Sequence, residues 1–337
     1  MNINETITCP SCRLVGAVID KRYVTVHNGH RVLLRCQACG VRFSETYGTP
    51  MEHLKSSISK VSLAIRMRDE GMGLRATGRV VGSHKNTIAE WEERFAGQKE
   101  TLMLYGLCHE FLRLTFEGDE LYTIIGKRTD PSQSSGWTAI IMERGSRFLV
   151  DQRCGKKDGK LFKDVMKGVC RFVRQTNDFS FFSDGERRYG QTLFELCSEV
   201  LKTGKRGRPR HVLPKGVKVR IKNKGSQKHK RGPKRPKYQA PQPEHPETVQ
   251  DVRDQEIHAN HLEGQNAATR RRNSAFRRRT NTYAKMTEGL QRTLDVHLIT
   301  HNFVRRHWTT GEVPAVKLGF QKAPLTVEAI LRMKKAA

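Results

Sequence analysis

The sequence predicts a multidomain α+β protein. Its 337 residues exceed what one hydrophobic core usually organises, which favours two or three modules. Two closely spaced Cys pairs near the start indicate a small metal-binding module, and strand and helix patterns alternate between residues 108 and 202. We expect domains at 1–50, 51–98 and 108–300, with a basic insertion at 203–250 and a C-terminal tail at 301–337.

The first module is defined by its cysteines. Cys9 and Cys12 form one CxxC pair, and Cys36 and Cys39, followed by Gly40, form a second. Two such pairs can present four thiolates tetrahedrally, so the spacing predicts a zinc ribbon with one structural Zn²⁺; a chance pattern or a redox pair is the alternative. We expect the remaining cysteines to be ordinary buried residues: Cys108, Cys154, Cys170 and Cys197.

The second module has the pattern of three helices, at 55–69, 74–81 and 85–95. Gly82 and Ser83 occupy the turn between the second and third helices, where crossing helices favour a residue tolerant of positive φ. This arrangement is typical of a helix-turn-helix domain, and a three-helix bundle with another role is the alternative.

The third helix carries the residues that would contact DNA. Ser83 is the expected N-cap, and Ile88, Trp91 and Phe95 are the expected packing residues. The leading polar side chains would face base edges in the major groove: Lys85, Asn86 and Thr87.

The third block predicts an ordered series of elements. Strands are expected at 112–126, 137–143 and 147–152, a helix at 160–175, a strand at 178–183 and a helix at 191–202. Three strands, a helix, a strand and a helix form an order compatible with a ribonuclease-H-like α/β domain.

Acidic residues in this block and in a later helical segment occupy the positions where such a fold holds its metal ligands. Asp119 lies midway through the first strand, Asp184 ends the fourth, and Glu263 lies in a late helical segment. Carboxylates on adjacent strands, with a third on a helix, can bind two Mg²⁺ for in-line attack on a phosphodiester. Asn266 and Arg270 follow Glu263 at helical spacing and would contact DNA phosphates.

Each of these carboxylates has an alternative interpretation. An arbitrary Asp or Glu is usually a solvated surface residue. Glu120 is the rival to Asp119, although strand alternation points its side chain to the opposite face.

The charge balance indicates a polyanionic partner. The chain has 62 Lys and Arg against 34 Asp and Glu, a net charge of +28. The sequence has no stretch near the roughly 20 apolar residues that span a bilayer and no signal peptide or lipid-anchor motif. We therefore expect double-stranded DNA as the partner, no membrane association and a reducing, cytoplasmic location.

Two basic segments extend this expectation. Residues 205–237 contain 15 Lys or Arg and no acidic residue, which indicates a linker or insertion, although Val217, Val219 and Ile221 could form one short strand. Arg206 and Arg208 lie in a stretch that resembles an AT-hook for the minor groove; a generic polycationic linker is the alternative. The Arg runs 270–272 and 277–279 would contact DNA, or form a solvated helix face.

These motifs, in their order, resemble the insertion sequence 1 family of bacterial transposases and, more distantly, other zinc-ribbon Asp-Asp-Glu transposases. The resemblance covers most of the chain. It rests on the paired CxxC motifs, the helix-turn-helix, Asp119-Glu120-Leu121 ahead of Gly126-Lys127, Ser183-Asp184-Gly185, Glu263 with Asn266, and the segment from Thr280 to Lys285.

The resemblance implies a ribonuclease-H-like catalytic domain with Asp119, Asp184 and Glu263 as the catalytic triad. It implies binding to terminal inverted repeats, Mg²⁺-dependent cleavage and strand transfer by a homo-oligomer on DNA, and a nucleoid-associated bacterial protein. The long basic stretch departs from the family's compact pattern, which leaves Glu256 and Glu244 as alternative third ligands. A non-catalytic transcription regulator and a nuclease of similar fold remain as alternative functions.

Overall fold

The computed structural model describes residues 8–14, 19–25, 30–105, 109–202, 208–223, 236–277 and 282–335. The protein is a mixed α+β chain. Its strands are β1 (Ile19–Thr25), β2 (His30–Cys36), β3 (Arg42–Ser44), β4 (Leu114–Tyr122), β5 (Trp137–Glu143), β6 (Leu149–Gly155), β7 (Phe179–Asp184), β8 (Glu199–Leu201), β9 (Arg210–Val212), β10 (Val217–Lys222) and β11 (Tyr238–Gln239). Its α-helices are α1 (Ile58–Asp69), α2 (Leu74–Val81), α3 (Lys85–Ala96), α4 (Lys99–Tyr105), α5 (Gly159–Val173), α6 (Arg188–Cys197), α7 (Asn260–Arg272), α8 (Thr287–Ile299), α9 (Pro314–Lys317) and α10 (Val327–Arg332).

Backbone contacts divide the chain into two compact units. The first comprises Met1–Arg68, Leu74–Thr101 and Leu325–Ala337, and the second comprises Asp69–Gly73 and Leu102–Pro324. The Cys-rich and helical modules lie in the first unit, and residues 301–337 are divided between the two units. None of the described helices combines the length and apolar character that a bilayer crossing needs.

The first unit begins with a small antiparallel sheet in the order β1-β2-β3. Its core is a cluster of Cys9, Leu34, Cys36 and Phe43, with Val41 packed against it.

The helices of the first unit pack around Ile88, Trp91 and Phe95, all nearly inaccessible to solvent. The turn between α2 and α3 is tight, since a Cβ on Gly78 would lie 2.5 Å from the Ser83 carbonyl oxygen, and Gly82 has φ +61°. Ser83 closes α2 by donating its backbone N–H to Gly78. The expected N-cap is therefore wrong by one residue: His84 caps α3, accepting from the Asn86 amide at 3.3 Å.

The second unit is built on a six-stranded sheet in the order β11-β10-β7-β4-β5-β6. Strands β4, β5 and β6 form an antiparallel meander, and β7 pairs in parallel with both β4 and β10. The chain thus runs through three strands, a helix, a strand and a helix, in the order that the sequence predicts.

Helices cover both faces of this sheet. On one face, the apolar stripe of α5 (Leu161, Phe162, Val165, Met166 and Val169) is buried. On the other face, α7 and α8 bury a cluster that includes Leu121, Ile140, Met142, Leu262, Leu290, Leu294 and Leu298. Because β4 is central, its residues alternate between the two helical layers.

Strand β10 shows that part of the basic stretch belongs to the core, contrary to the expectation of a linker. Val217, Val219 and Ile221 alternate as predicted and are buried. The basic residues between them are also buried, because each has an acidic partner. Lys218 Nζ lies 2.8 Å from Asp178 and 2.6 Å from Asp251, and Arg220 pairs with Glu244.

Candidate functional site

Asp119 and Asp184 occupy neighbouring positions on two parallel strands, with Asp119 inside β4 and Asp184 at the end of β7. The pairing of β4 with β7 runs from Leu114 opposite Phe179 to Gly118 opposite Ser183, and the two aspartates follow directly. Partners in a parallel register share a face of the sheet, so both carboxylates belong to the face that α7 covers. Gly185, with φ +78°, then turns the chain out of β7.

The backbone of Asp119 is held from the opposite face of the sheet. The Tyr189 hydroxyl on α6 donates to the Asp119 carbonyl oxygen at 3.0 Å. Gly118 makes this approach possible, since a Cβ there would lie 2.7 Å from Phe181 Cζ and 3.2 Å from the Tyr189 ring. Burial and the nearby Glu120 raise the pKa of Tyr189 well above its usual value, so the hydroxyl stays a donor. Sequence analysis did not identify this support, although a glycine inside a central strand is its signal.

Helix α7 brings Asn266 onto Asp119. Asn266 Nδ2 donates to Asp119 Oδ2 at 2.8 Å, and the side chain is buried. Its Oδ1 is also buried and has no hydrogen-bond partner among the described residues. Asn266 therefore binds a carboxylate of the candidate site, whereas we predicted from the sequence that it would contact DNA phosphates.

Glu263 lies one turn before Asn266 on α7 and is exposed, as is Arg270. The structure does not gather Asp119, Asp184 and Glu263 into one ligand cluster. In the described part of the chain, groups of three or more metal-ligating side chains within 4.8 Å of one another occur at only two places, the four N-terminal cysteines and Glu117 with His258 and His261.

The rival carboxylates have partners of their own. Glu120 points to the opposite face, as strand alternation predicts, and its Oε2 accepts from Lys157 Nζ at 2.7 Å; burial raises its pKa. Glu244 is paired with Arg220. Glu256 accepts from Arg253 at 2.8 Å.

Glu117 is a buried carboxylate that sequence analysis did not select. Its side chain is 0% exposed, and its Oε1 is 2.7 Å from Arg144 Nε and 2.6 Å from His261 Nδ1. Its Oε2 accepts from the Leu262 amide at 3.2 Å. A cation would have to displace the Arg144 guanidinium, so these contacts favour a structural ion pair over a metal site. The signal in the sequence is a Glu two residues before Asp119 on the same buried face.

The N-terminal cysteines converge as their spacing predicts. Cys9 Sγ lies 3.5 Å from Cys39 Sγ, and Cys12 Sγ lies 3.7 Å from Cys36 Sγ. A tetrahedral zinc with Zn–S bonds of about 2.3 Å separates its sulfurs by about 3.8 Å, so the cluster is compatible with zinc.

The charges of these thiols also fit a cation. Burial raises the pKa of Cys9, but backbone amides of Cys12 and Ser11 outweigh it and bring that pKa to about 6. The Leu14 amide lowers the pKa of Cys12, yet burial and the neighbouring thiols raise it to about 11. The lowered pKa of Cys9 favours the thiolate form in which cysteine binds metal, whereas Cys12 would have to lose its proton on binding.

The start of α3 borders a basic cavity. A cavity of about 460 Å³ is lined by the side chains of Arg75, Arg79 and Lys85, together with Gly78, Ser83 and His84. Of the residues predicted to face bases, Asn86 is exposed, and Lys85 and Thr87 are half-buried. Arg208 is exposed, and Arg206 lies outside the described residues.

No protein-family model and no curated protein matches the chain. Among solved structures, it is similar to the Mos1 mariner paired-end complex with Mn, at 11% identity over 42% of this chain and 57% of that chain, with a TM-score of 0.18. A Mos1 transposase paired-end complex with left transposon end gives 14% identity over 43% and 59%, with a TM-score of 0.17. The chain thus spans less than two thirds of the length of these structures.

Proposed function

We propose that this protein is a DNA transposase of the Asp-Asp-Glu type. It binds the terminal inverted repeats of its element as a homo-oligomer in the bacterial cytoplasm, cleaves the ends, and joins the freed 3′-hydroxyls to target DNA. The observation that carries the proposal is the placement of Asp119 and Asp184 at neighbouring positions of two parallel strands, with Asn266 of α7 bonded to Asp119. The antiparallel meander β4-β5-β6, followed by β7 and β10 in parallel with one another and β7 in parallel with β4, supports a ribonuclease-H-like fold.

The residues at this edge fit divalent metal. Carboxylate and amide oxygens are the ligands that Mg²⁺ prefers, and the buried Oδ1 of Asn266 has no donor among the described residues. Asp119, Asp184 and the exposed Glu263 would hold two Mg²⁺, which would activate the attacking oxygen and stabilise the leaving one.

The chain's own groups prepare this site. The Tyr189 hydrogen bond fixes the backbone of Asp119, and the Asn266 amide orients its carboxylate. Arg270, exposed on the same helix, can pair with a DNA phosphate next to the carboxylates.

DNA recognition belongs to the first unit in this proposal. Arg75, Arg79 and Lys85 line one cavity and form a positively charged site for a backbone phosphate. Exposed Asn86, at the start of α3, is the best placed of the predicted side chains to reach a base edge in the major groove. The four cysteines hold the structural Zn²⁺ of a zinc ribbon beside this helix-turn-helix in the sequence, and exposed Arg208 adds salt-sensitive affinity.

The test incubates the protein with DNA that carries its flanking ends and Mg²⁺, then resolves cleaved and joined products. Asp184→Asn should abolish both products, whereas Asp164→Asn, an exposed partner of Lys167 on α5, should retain them. Joined products from the wild type and the Asp164 variant alone would support the proposal. Cleavage without joining would indicate a nuclease, and binding without cleavage in every variant would indicate a regulator.

A further inference from the structure

Helix α7, which carries Glu263 and Asn266, has a local side-chain acceptor for its first amide, since His258 Nδ1 accepts from the Asn260 amide at 3.3 Å. The residue at its N-cap is Ala259, and no side chain in that position accepts a hydrogen bond. The first amides of a helix have no partner within the helix, so a buried helix start needs an acceptor from elsewhere.

Glu117 of strand β4 provides a further acceptor for the Leu262 amide, which also donates to the Ala259 carbonyl oxygen at 3.1 Å. Glu117 Oε2 accepts from the amide of Leu262, the third residue of α7, which is the amide that an N-cap side chain normally satisfies. A negative charge at this position also interacts favourably with the helix dipole. Since Glu117 is 0% exposed, water does not screen these interactions.

The other oxygen of Glu117 holds the segment that leads into α7. Its Oε1 contacts His261 Nδ1 at 2.6 Å and Arg144 Nε at 2.7 Å. Arg144 Nη2 donates in turn to the carbonyl oxygens of Glu256 and His258, each at 2.9 Å. The start of α7 is thus tied to the sheet through side chain and backbone together.

The spacing of two contacts aligns α7 along β4. Leu262 contacts Glu117, and Asn266 contacts Asp119. Four residues of helix rise by about 6 Å, and two residues of strand extend by about 6.6 Å, so the two contacts match in length. Glu263 lies between these attachment points, which fixes its height along the strand that carries Asp119.

We propose that Glu117 is a positioning residue that sets the register of α7 against β4, and thereby the affinity of the carboxylate site for divalent metal. The metal part of this inference rests on the proposed function. The capping part depends only on the contacts of Glu117.

The test compares Glu117→Gln with Asp151→Asn. Gln keeps the shape and one acceptor of Glu117 but loses the charge. Asp151 is a matched control: it is a buried carboxylate of the same sheet, 2.8 Å from Arg153, and it lies on the face that α5 covers. Two readouts are measured, hydrogen exchange of the α7 amides in metal-free conditions and Mn²⁺ binding by titration calorimetry on the full zinc-loaded chain.

Glu117→Gln should raise exchange of the α7 amides and weaken Mn²⁺ binding by about tenfold or more, as loss of a residue that orients metal ligands does elsewhere. Asp151→Asn should change neither, even if it lowers the unfolding temperature. Wild-type α7 exchange in Glu117→Gln would overturn the capping role. Faster exchange with unchanged Mn²⁺ affinity would overturn the positioning role. If the wild type binds no Mn²⁺ and cleaves no DNA, the proposed function fails, and the exchange comparison still decides the capping role.

Discussion

Replacement of Gly118 by Ala tests how tightly the sheet is packed beneath the candidate site. The added Cβ would lie 2.7 Å from Phe181 Cζ and 3.2 Å from the Tyr189 ring. Both rings are fully buried and pack against each other with centroids 5.5 Å apart, so neither can move into open space. Overpacking of this kind costs about 1–3 kcal/mol in the free energy of unfolding.

Gly264 provides the matched control, because the same substitution there has the opposite expected sign. It lies inside α7 and, apart from the helix's own backbone, no atom lies within 4 Å of the position that a Cβ would take. Ala in place of Gly in an exposed helix interior stabilises by roughly 0.5–1 kcal/mol.

The assay is hydrogen exchange of the slowest amides in β4, read by mass spectrometry, since it reports on the second unit separately. Gly118→Ala should speed this exchange by about 5- to 150-fold, the equivalent of the free-energy change above. Gly264→Ala should leave it unchanged or slow it. If Gly118→Ala exchanged within twofold of the wild type, the close packing inferred here around Asp119 would be refuted.

Three further outcomes are expected. Zinc chelation should unfold the segment 30–44, because Cys36 and Cys39 would lose their cross-link to Cys9 and Cys12, and leave β4 exchange unchanged; retained protection after metal loss would contradict this. Lys85→Ala should weaken binding to all DNA sequences and reduce by about one the slope of log binding constant against log salt concentration. Asn86→Ala should instead relax the preference for one DNA sequence. If both substitutions changed sequence specificity equally, the cavity would not be a phosphate site. Burial, together with the neighbouring His297, lowers the pKa of His301 to about 3. Between pH 6.5 and pH 3 the unfolded chain therefore binds one more proton at this residue than the folded chain, and the free energy of unfolding falls as the pH falls. His301→Gln, which keeps a donor for the Arg147 carbonyl, should lose less stability over this window in acid denaturation curves.

The sequence predicts those parts of the fold whose signal is local. The periodicity of α5, with Leu161, Val165 and Val169 on one stripe, gives the helix, and the turn glycine at 82 gives the break before α3. The convergence of the four cysteines is expected because two CxxC pairs in one short module are typical of a zinc site.

The sequence does not predict contacts that join distant segments. Lys218 and Arg220 belong to the core because acidic residues far along the chain neutralise them, and a composition pattern carries no record of such partners. The cap that Glu117 provides for α7 joins residues 145 positions apart and has no local signature. The Ser83 backbone N–H donates to the Gly78 carbonyl oxygen and closes α2, and His84, the next residue, caps α3.

The candidate site is organised by the alternation of one strand. Odd-numbered residues of β4 face α7, so Glu117 caps the helix and Asp119 receives its Asn266 amide. Even-numbered residues face α5 and α6, where Gly118 admits Tyr189 and Glu120 is neutralised by Lys157. A shift of one residue in the pairing of β4 would exchange these faces, placing Glu120 beneath α7 and removing both attachments of that helix. The register between β4 and β7 therefore determines whether Asp119 lies beside Asp184 and beneath α7.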